Sequence, residues 1–226
     1  MRKSIRAALA VCGLGLAAMS AHSQPGTAVD SARWKESFDA FAAADEARAP
    51  APGGVVFVGS SSIRLWNNLE QQFEGPLAIT KRGFGGSRML DCAEHLQQLV
   101  LPYKPRWVVV YAGDNDLAEG RSPAEVLASF TAFVEGVKRE LPATRIAYLS
   151  IKPSPLREAM MPRVREANAM VEAYSRATQN LDYIDVYTRM LGADGKPRAE
   201  LFLPDRLHLN AEGYALWKSV IAAHLK

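Results

Sequence analysis

Short and nearly continuous apolar runs recur along the chain between residues 54 and 187. Five of them are rich in β-branched and aromatic residues, and they span residues 54–58, 77–80, 107–111, 146–151 and 181–187. Apolar residues at successive positions are typical of a strand that is buried on both faces, as in a parallel sheet covered by helices. The pattern therefore predicts five parallel strands.

Helical spacing of apolar residues fills the intervals between these strands. The clearest helix follows Ser122, with Pro123 at its first position and Glu125 three residues after the serine, which predicts an N-cap with a capping box. A last helix is predicted after Asn210, whose side chain can cap it. Strands alternating with helices predict an α/β fold, a three-layer α/β/α sandwich around a five-stranded parallel sheet.

An amphipathic segment precedes the first strand. Trp34, Phe38 and Phe41 recur at helical spacing within residues 30–49, which predicts an N-terminal helix packed against the main body. The length of 226 residues, with 48% hydrophobic and 23% charged residues, suits one globular domain. We assign residues 24–52 to the N-terminal helix and its linker, and residues 53–226 to the main domain.

The first 23 residues have the pattern of a secretory signal peptide. Arg2, Lys3 and Arg6 precede a short apolar run over residues 7–21, and small residues stand before a predicted cut after Ser23. The run is shorter than the roughly 20 apolar residues that a spanning helix needs. We therefore predict cleavage rather than a stable membrane anchor, and export to the periplasm or the extracellular medium.

Cleavage changes the charge balance of the protein. It removes three basic residues and no acidic ones, so that 27 basic against 24 acidic residues become 24 against 24. A formally neutral domain gives no charge-based reason to expect nucleic acid or an anionic membrane as a partner. Cys92 would be the one remaining cysteine, which excludes an internal disulfide and a cysteine-based metal site. Composition leaves the oligomeric state open.

Polar or glycine-rich segments follow the first three predicted strands, at residues 60–62, 83–87 and 113–116. The carboxyl ends of the strands form the ligand crevice of an open parallel sheet, so we expect these segments to meet there. The second and third segments contain groups that could hydrogen-bond negative charge on a carbonyl oxygen, namely the Gly85–Gly86 backbone and the Asn115 amide.

Asp205 and His208 lie farther along the chain, within one predicted loop. An acid three residues before a histidine can orient the imidazole so that it deprotonates a serine hydroxyl. Taken singly, each of these features also fits a structural role, such as a helix cap, a tight turn, a polar loop or a surface ion pair.

The chain resembles the SGNH hydrolases, also called the GDSL esterase/lipase superfamily, over roughly residues 53–224. The resemblance is carried by four blocks in the family's order, which are Gly59-Ser60-Ser61, Gly86, Gly113-Asp114-Asn115 and Asp205-Arg206-Leu207-His208. It implies a flavodoxin-like fold and an esterase that needs neither a metal nor an organic cofactor.

The resemblance also implies a role for individual residues. Ser61 aligns with the nucleophile, and Asp205 and His208 align with the other two members of the triad. Gly86 and Asn115 align with the oxyanion donors, together with the backbone N–H of Ser61.

The chain departs from the family's usual pattern at two positions. Ser60 stands where an aspartate is common, and Lys81 stands where an asparagine often precedes Arg82. Neither replacement removes a catalytic atom. The run of three serines leaves the nucleophile open on chemistry alone, and alignment on Gly59 favours Ser61.

Other function classes remain open. A metal-dependent phosphoesterase could use Asp114, Asp116, Asp205 and His208 as ligands, although two-metal sites usually contain more ligands than this. A non-catalytic carbohydrate- or lipid-binding module could share the fold, since a fold does not fix a function. Within the esterases, a lysophospholipase or a thioesterase would act on longer acyl chains.

The substrate is the least determined part of the prediction. The residues expected to line the pocket, besides the loop over residues 152–162, are Arg64, Trp66, Phe84, Arg88 and Leu117. Their mixture of apolar and cationic groups fits a small-molecule or carbohydrate ester. Few loop insertions and no apolar lid helix are evident, so we predict a short acyl group such as acetyl.

Overall fold

The computed structural model describes residues 32–73 and 78–225. The predicted signal peptide, residues 1–23, lies outside the described residues, and so do residues 24–31. Contacts divide the chain into one unit up to Arg33 and a second unit from Trp34 onwards. The second unit contains all the strands of the described part of the chain.

Five strands form one sheet in which each neighbouring pair is parallel. They are β1 (Val55–Gly59), β2 (Ile79–Gly83), β3 (Trp107–Tyr111), β4 (Arg145–Leu149) and β5 (Leu181–Ile184), in the order β2-β1-β3-β4-β5. The predicted α/β class with a five-stranded parallel sheet is confirmed. This order is flavodoxin-like, and it reverses direction between β1 and β3, where such sheets open a crevice.

Helices lie on both faces of the sheet. The α-helices of the described residues are α1 (Lys35–Ala47), α2 (Ser61–Arg64), α3 (Leu69–Gln72), α4 (Met89–Glu94), α5 (Leu96–Leu99), α6 (Asp114–Ala118), α7 (Pro123–Glu140), α8 (Met161–Ala177) and α9 (Ala211–Ala222). Short 3₁₀ turns occupy Leu101–Tyr103, Pro155–Met160, Thr188–Met190 and Ala199–Leu201.

Alternate strand residues enter two separate hydrophobic cores. In β1, Val56 and Val58 belong to the core beneath α4, α7 and α8, whereas Val55 and Phe57 pack on the opposite face with α2 and α9. Both faces of the strand are thus covered, which explains why its sequence is apolar at every position. The sandwich has three layers, as predicted.

Three strands differ from the predicted ranges by two residues or more at one end, and each difference has a local cause. The second strand runs to Gly83 although Lys81 and Arg82 are charged, because buried Arg82 hydrogen-bonds Tyr103 Oη and pairs with Asp45. Residue 77 of the predicted strand lies outside the described residues.

The fourth and fifth strands both end early. β4 ends at Leu149 because the backbone N–H and C=O of Ile151 bond the side chain of Asn168 instead of a strand. β5 ends at Ile184 because the N–H groups of Val186 and Tyr187 donate to Ser150 Oγ. At the carboxyl edge of the sheet, hydrogen bonds to side chains therefore replace the backbone hydrogen bonds between strands.

The predicted helix caps are confirmed. Ser122 Oγ accepts from the N–H of Glu125, while the Glu125 carboxylate accepts from the N–H of Ser122. Asn210 Oδ1 accepts from the N–H of Gly213 at the start of α9. Among the described residues, no helix has the length and apolar character needed to cross a membrane.

Candidate active site

The three serines after β1 differ sharply in their surroundings. Ser60 and Ser62 are fully buried, and Ser62 Oγ accepts a hydrogen bond from Lys152 Nζ at 3.1 Å. Ser61 is partly exposed, and its Oγ lies 3.0 Å from His208 Nε2. Of the three hydroxyls, that of Ser61 is therefore the one placed to meet both a base and a substrate.

The turn that presents Ser61 depends on Gly59. This residue has φ +149°, and a Cβ there would lie 1.9 Å from the carbonyl oxygen of Tyr111 in the neighbouring strand. No side chain fits such a close approach, so the chain can turn directly from β1 into α2 only with glycine. Ser61 then begins α2 at the carboxyl edge of the sheet.

Asp205 and His208 are joined within one short loop. Asp205 Oδ2 lies 2.7 Å from His208 Nδ1, and its Oδ1 accepts from the backbone N–H groups of Leu207 and His208, both at 2.9 Å. Hydrogen bonds from the backbone and the ring of His208 lower the pKa of Asp205 to about 2. The carboxylate is thus held ionised beside the ring.

A backbone bridge closes this loop at its base. Phe202 and Leu209 pair in antiparallel fashion, and the N–H of Leu203 donates to the carbonyl of His208 at 2.8 Å. Together with the Asp205 contacts, these bonds fix the direction of the imidazole towards Ser61. The structure brings together all three predicted triad residues, in the hydrogen-bonded order Asp205, His208, Ser61.

Asn115 reaches the same crevice from the start of α6. Its Nδ2 donates to the carbonyl of Ser87 at 3.0 Å, and its Oδ1 accepts from Arg157 Nη2 at 3.0 Å. These two bonds fix which end of the amide is the donor. An amide nitrogen carries two hydrogens, so one remains to be aimed at an anionic oxygen.

Behind Asn115 lies a buried ion cluster that the sequence did not predict. Asp114 Oδ2 lies 3.1 Å from Lys152 Nζ and 3.2 Å from Arg157 Nη1, and Lys152 also donates to Tyr111 Oη at 2.9 Å. Burial opposes ionisation of Asp114, yet the two cations outweigh it and lower its pKa. Lys152 thereby links the segments that carry Ser62 and Asn115.

Asp116 is fully buried and has partners other than those of Asp114. Its Oδ2 accepts from the N–H of Met89 at the start of α4, and burial raises its pKa to about 6. The four residues weighed above as metal ligands are thus engaged in three separate sets of contacts, those of Asp114, of Asp116 and of the Asp205–His208 pair. The part of the chain that the structure describes contains no group of three or more histidine, cysteine, aspartate or glutamate residues placed to hold a metal.

The Gly85–Gly86 loop forms the remaining side of the crevice. Phe84 N–H donates to the carbonyl of Gly59, which ties the loop to the turn before Ser61. Gly86 has φ +75°, a backbone conformation that favours glycine. The carbonyl of Gly85 accepts from Trp34 Nε1 at 3.0 Å.

Three of the five residues expected to line the pocket do not do so. Trp66, Phe84 and Leu117 are buried in the two cores and present no surface to a substrate. Trp66 follows α2, Phe84 follows β2 and Leu117 lies within α6, but their side chains turn inward to cover the sheet. Arg64 is exposed, and its guanidinium lies against Gly85.

Arg88, the fifth of these residues, is partly exposed and already paired. It forms ion pairs with Asp91 at 2.7 Å and with Glu119 at 3.6 Å. Two apolar residues that the sequence analysis did not name individually stand near the triad loop instead. Leu156 and Leu203 are the exposed large hydrophobic residues of the described part of the chain, with relative solvent exposures of 59% and 41%.

Both leucines are tied to the histidine loop through the backbone. The N–H of Leu156 donates to the carbonyl of Arg206, and the N–H of Leu203 donates to that of His208. The loop over residues 152–162 thus lies beside the site, as predicted. Charged residues within it, Lys152 and Arg157, were named only as part of that loop, because a sequence gives no sign that such side chains turn inward.

Solved structures with the same fold differ widely from this chain in sequence. A Streptococcus pneumonia protein whose name refers to platelet activating factor has 20% identity and a TM-score of 0.76, and the match covers 90% of this chain and 100% of that one. A GDSL-like lipase from Bacteroides thetaiotaomicron has 22% identity and a TM-score of 0.71, and the match covers 83% of this chain and 96% of that one. A carbohydrate esterase family 3 protein from Talaromyces cellulolyticus has 16% identity and a TM-score of 0.59, and the match covers 76% of this chain and 96% of that one.

Sequence comparison gives the family directly. No curated protein sequence matched the chain. The family model described as GDSL-like Lipase/Acylhydrolase matches residues 28–216, which is most of the chain. The resemblance inferred from four short blocks is confirmed, and the chain belongs to the GDSL-like lipase/acylhydrolase family.

Proposed function

We propose that the protein is a serine esterase that removes a short acyl group from a small-molecule or carbohydrate ester. The observation that carries this proposal is the hydrogen-bonded series Asp205, His208, Ser61, with distances of 2.7 and 3.0 Å. A serine within reach of an imidazole that is itself oriented by a carboxylate is the arrangement that activates a hydroxyl nucleophile.

In the proposed mechanism, Ser61 Oγ attacks the ester carbonyl carbon while His208 Nε2 takes its proton. Asp205 accepts from His208 Nδ1–H, holds the required tautomer and stabilises the imidazolium. The tetrahedral oxyanion accepts hydrogen bonds from the backbone N–H groups of Ser61 and Gly86 and from Asn115 Nδ2. His208 then protonates the leaving alcohol, and water attacks the acyl-enzyme with the same base.

The apolar surface around the site supports a short acyl group. Leu156 and Leu203 flank the histidine loop, while Trp66, Phe84 and Leu117 are sealed within the cores. Two exposed leucines can cover an acetyl or propionyl group but leave most of a long chain in water. A carbohydrate alcohol agrees with the name of the structural neighbour from Talaromyces cellulolyticus, a carbohydrate esterase family 3 protein.

We further propose that the protein acts outside the cytoplasm, after cleavage following Ser23. The support is the basic, apolar and small-residue pattern of residues 1–23. Mass spectrometry of protein recovered from the periplasm would show an N-terminus at Gln24. An intact N-terminus on cytoplasmic protein would refute this.

Hydrolysis of p-nitrophenyl esters from acetyl to palmitoyl tests the function. We expect a maximum at acetyl or propionyl, activity unchanged by a chelator, and loss of activity in Ser61→Ala. Ser60→Ala is the matched control for Ser61→Ala. It should stay active, because the hydroxyl of Ser60 is buried and is not the proposed nucleophile.

Three other outcomes would contradict parts of the proposal. A maximum at long chains would favour a lysophospholipase or thioesterase, and a loss with chelator would favour a metal-dependent reaction. Activity that survives in Ser61→Ala would remove Ser61 as the nucleophile. Acetylated xylose or chitooligosaccharide as a second substrate, with released acetate as the readout, tests the carbohydrate alcohol.

A further inference from the structure

The indole of Trp34 contacts the Gly85–Gly86 loop beside the crevice. Its Nε1 donates to the Gly85 carbonyl at 3.0 Å, and the residue is only 3% exposed. The ring packs edge-on against Phe84, with centroids 5.4 Å apart at 89°, and against His95 at 6.2 Å and 73°. The indole is therefore held rigidly while it makes this bond.

The bonded carbonyl belongs to the same peptide unit as a proposed oxyanion donor. The C=O of Gly85 and the N–H of Gly86 lie in one plane and point in opposite directions across a trans peptide bond. A donor that fixes the carbonyl on one side therefore fixes the direction of the N–H on the other. Fixation matters here because two successive glycines have little conformational preference of their own.

We propose that Trp34 is a positioning residue that orients and polarises the Gly85–Gly86 peptide as an oxyanion donor. The inference rests on the proposed esterase function. A hydrogen bond accepted by the carbonyl also draws electron density from the amide, which makes the Gly86 N–H a stronger donor. Both effects act on the charged intermediate far more than on the neutral ester, so Trp34 stabilises the transition state without binding substrate.

Other contacts of α1 separate this role from simple docking of the helix. Phe38 and Phe41 pack against the same core, and Asp45 pairs with Arg82 and accepts from Tyr103 Oη. These contacts attach α1 to the body without touching the Gly85 carbonyl. If Trp34 served only for docking, its N–H could be removed at a cost in stability alone.

The test replaces Trp34 by Phe, which keeps an aromatic ring and removes the N–H. Trp217→Phe is the matched control, because Trp217 is also buried and its Nε1 donates to Met190 Sδ at 3.2 Å in the opposite core. A second variant carries benzothienylalanine at position 34, which keeps the shape of the indole and replaces the N–H by sulfur. All are prepared by expression of the full chain, and active sites are counted with a fluorophosphonate that labels Ser61.

We expect kcat per active site on p-nitrophenyl acetate to fall about tenfold in both Trp34 variants, with KM within about twofold. This is less than the roughly 10²–10³ for removal of a donor, since the Gly86 N–H is still present. An alkyl boronic acid, which forms a tetrahedral adduct on Ser61, should lose affinity by a factor similar to the fall in kcat. Trp217→Phe should keep kcat and boronate affinity even where its melting temperature falls.

Equal kcat per active site in the Trp34 variants and in Trp217→Phe would overturn the inference, and so would a change confined to KM. The benzothienylalanine variant decides the matter if Trp34→Phe folds poorly. Wild-type protein without turnover dependent on Ser61 would overturn the proposed function itself, and the inference with it. The two failures are distinguishable because only the second affects the wild type.

Discussion

Both carboxylate oxygens of Asp205 have hydrogen-bond partners within its own loop. One carboxylate oxygen accepts two backbone N–H groups of its own loop, and the other faces His208 Nδ1. An asparagine could keep the first set of bonds through its Oδ1. It would present an N–H to the imidazole, however, and would hold the ring in the wrong tautomer.

We therefore expect Asp205→Asn to lower kcat by about 10³–10⁴ with little change in unfolding midpoint. Asp194→Asn is the control, because Asp194 Oδ1 accepts a backbone N–H in an exposed turn outside the Asp205–His208 loop. Steady-state kinetics and urea denaturation of both variants check this. A loss of less than tenfold would mean that the carboxylate does not assist His208.

Arg157 acts on the site through another residue. Its Nη2 donates to Asn115 Oδ1, while its Nη1 pairs with Asp114. In Arg157→Ala the Asn115 amide can rotate and present its oxygen to the oxyanion. We expect kcat to fall roughly tenfold, with KM less affected and with partial rescue by added guanidinium.

Arg165→Ala is the comparison for this change, since Arg165 is exposed on α8. Kinetics of the two variants with and without guanidinium check the prediction. An equal loss in both variants, or a loss that guanidinium does not reduce, would show that the contact with Asn115 is not responsible.

At the scale of elements, a single carboxyl group joins α6 to α4. Asp116 Oδ2 accepts from the N–H of Met89, and burial raises the pKa of Asp116 to about 6. The folded carboxyl thus stays protonated up to about pH 6, while the unfolded one ionises near pH 4. Between these values the unfolded state binds fewer protons, so the stability of the fold declines as the pH rises.

Asp116→Asn should remove this decline, because an amide oxygen can accept from Met89 without titrating. From pH 4 to pH 7 we expect the wild type to lose roughly 3 kcal/mol of unfolding free energy relative to Asp116→Asn. Urea denaturation across that range is the measurement. Asp185→Asn is the control, because Asp185 Oδ1 also accepts a backbone N–H, that of Thr188, but at an exposed site. Parallel pH curves for wild type and Asp116→Asn would contradict the raised pKa.

The elements also show what a sequence can and cannot reveal. β1 and β3 were predictable within one residue because their uniform apolar character follows from burial on both faces. β2 was misplaced because Lys81 and Arg82 read as surface residues. The burial of Arg82 depends on Asp45 and Tyr103, which lie in distant segments and form no local pattern.

The same reasoning applies to the site. Ser61, Asn115, Asp205 and His208 were found because their residue types and order carry the chemistry, and the structure brings them to one crevice. The direction of a side chain after a strand is decided by packing, so Trp66, Phe84 and Leu117 were misplaced. For the same reason the bond from Trp34 to Gly85 could not be predicted from the sequence.

At the scale of the whole molecule, Lys152 connects the layers. It bonds Ser62 Oγ in α2, Tyr111 Oη at the end of β3 and Asp114 Oδ2 in α6. Its ammonium is almost completely buried, so removal would leave the Asp114 carboxylate with half of its compensating charge. Breaking a buried pair from one side is costly, because the remaining charge stays out of water.

Lys152→Met should therefore lower the unfolding free energy by about 3 kcal/mol, and a second change, Asp114→Asn, should recover part of the loss. Chemical denaturation of the single and double variants is the measurement. Lys196→Met, in an exposed loop, serves as the control. A double variant that is less stable than Lys152→Met alone would show that the ion pair is not the source of the loss.

The proposed nucleophile and its base are separated by 147 positions in the chain. On a ribosome the serine turn emerges long before the loop that carries the histidine. A nascent chain would thus have no esterase activity until most of the sandwich had been synthesised. Reactivity would arise only with the completed tertiary structure, so that a truncated or stalled product would carry a harmless serine rather than an unregulated hydrolase.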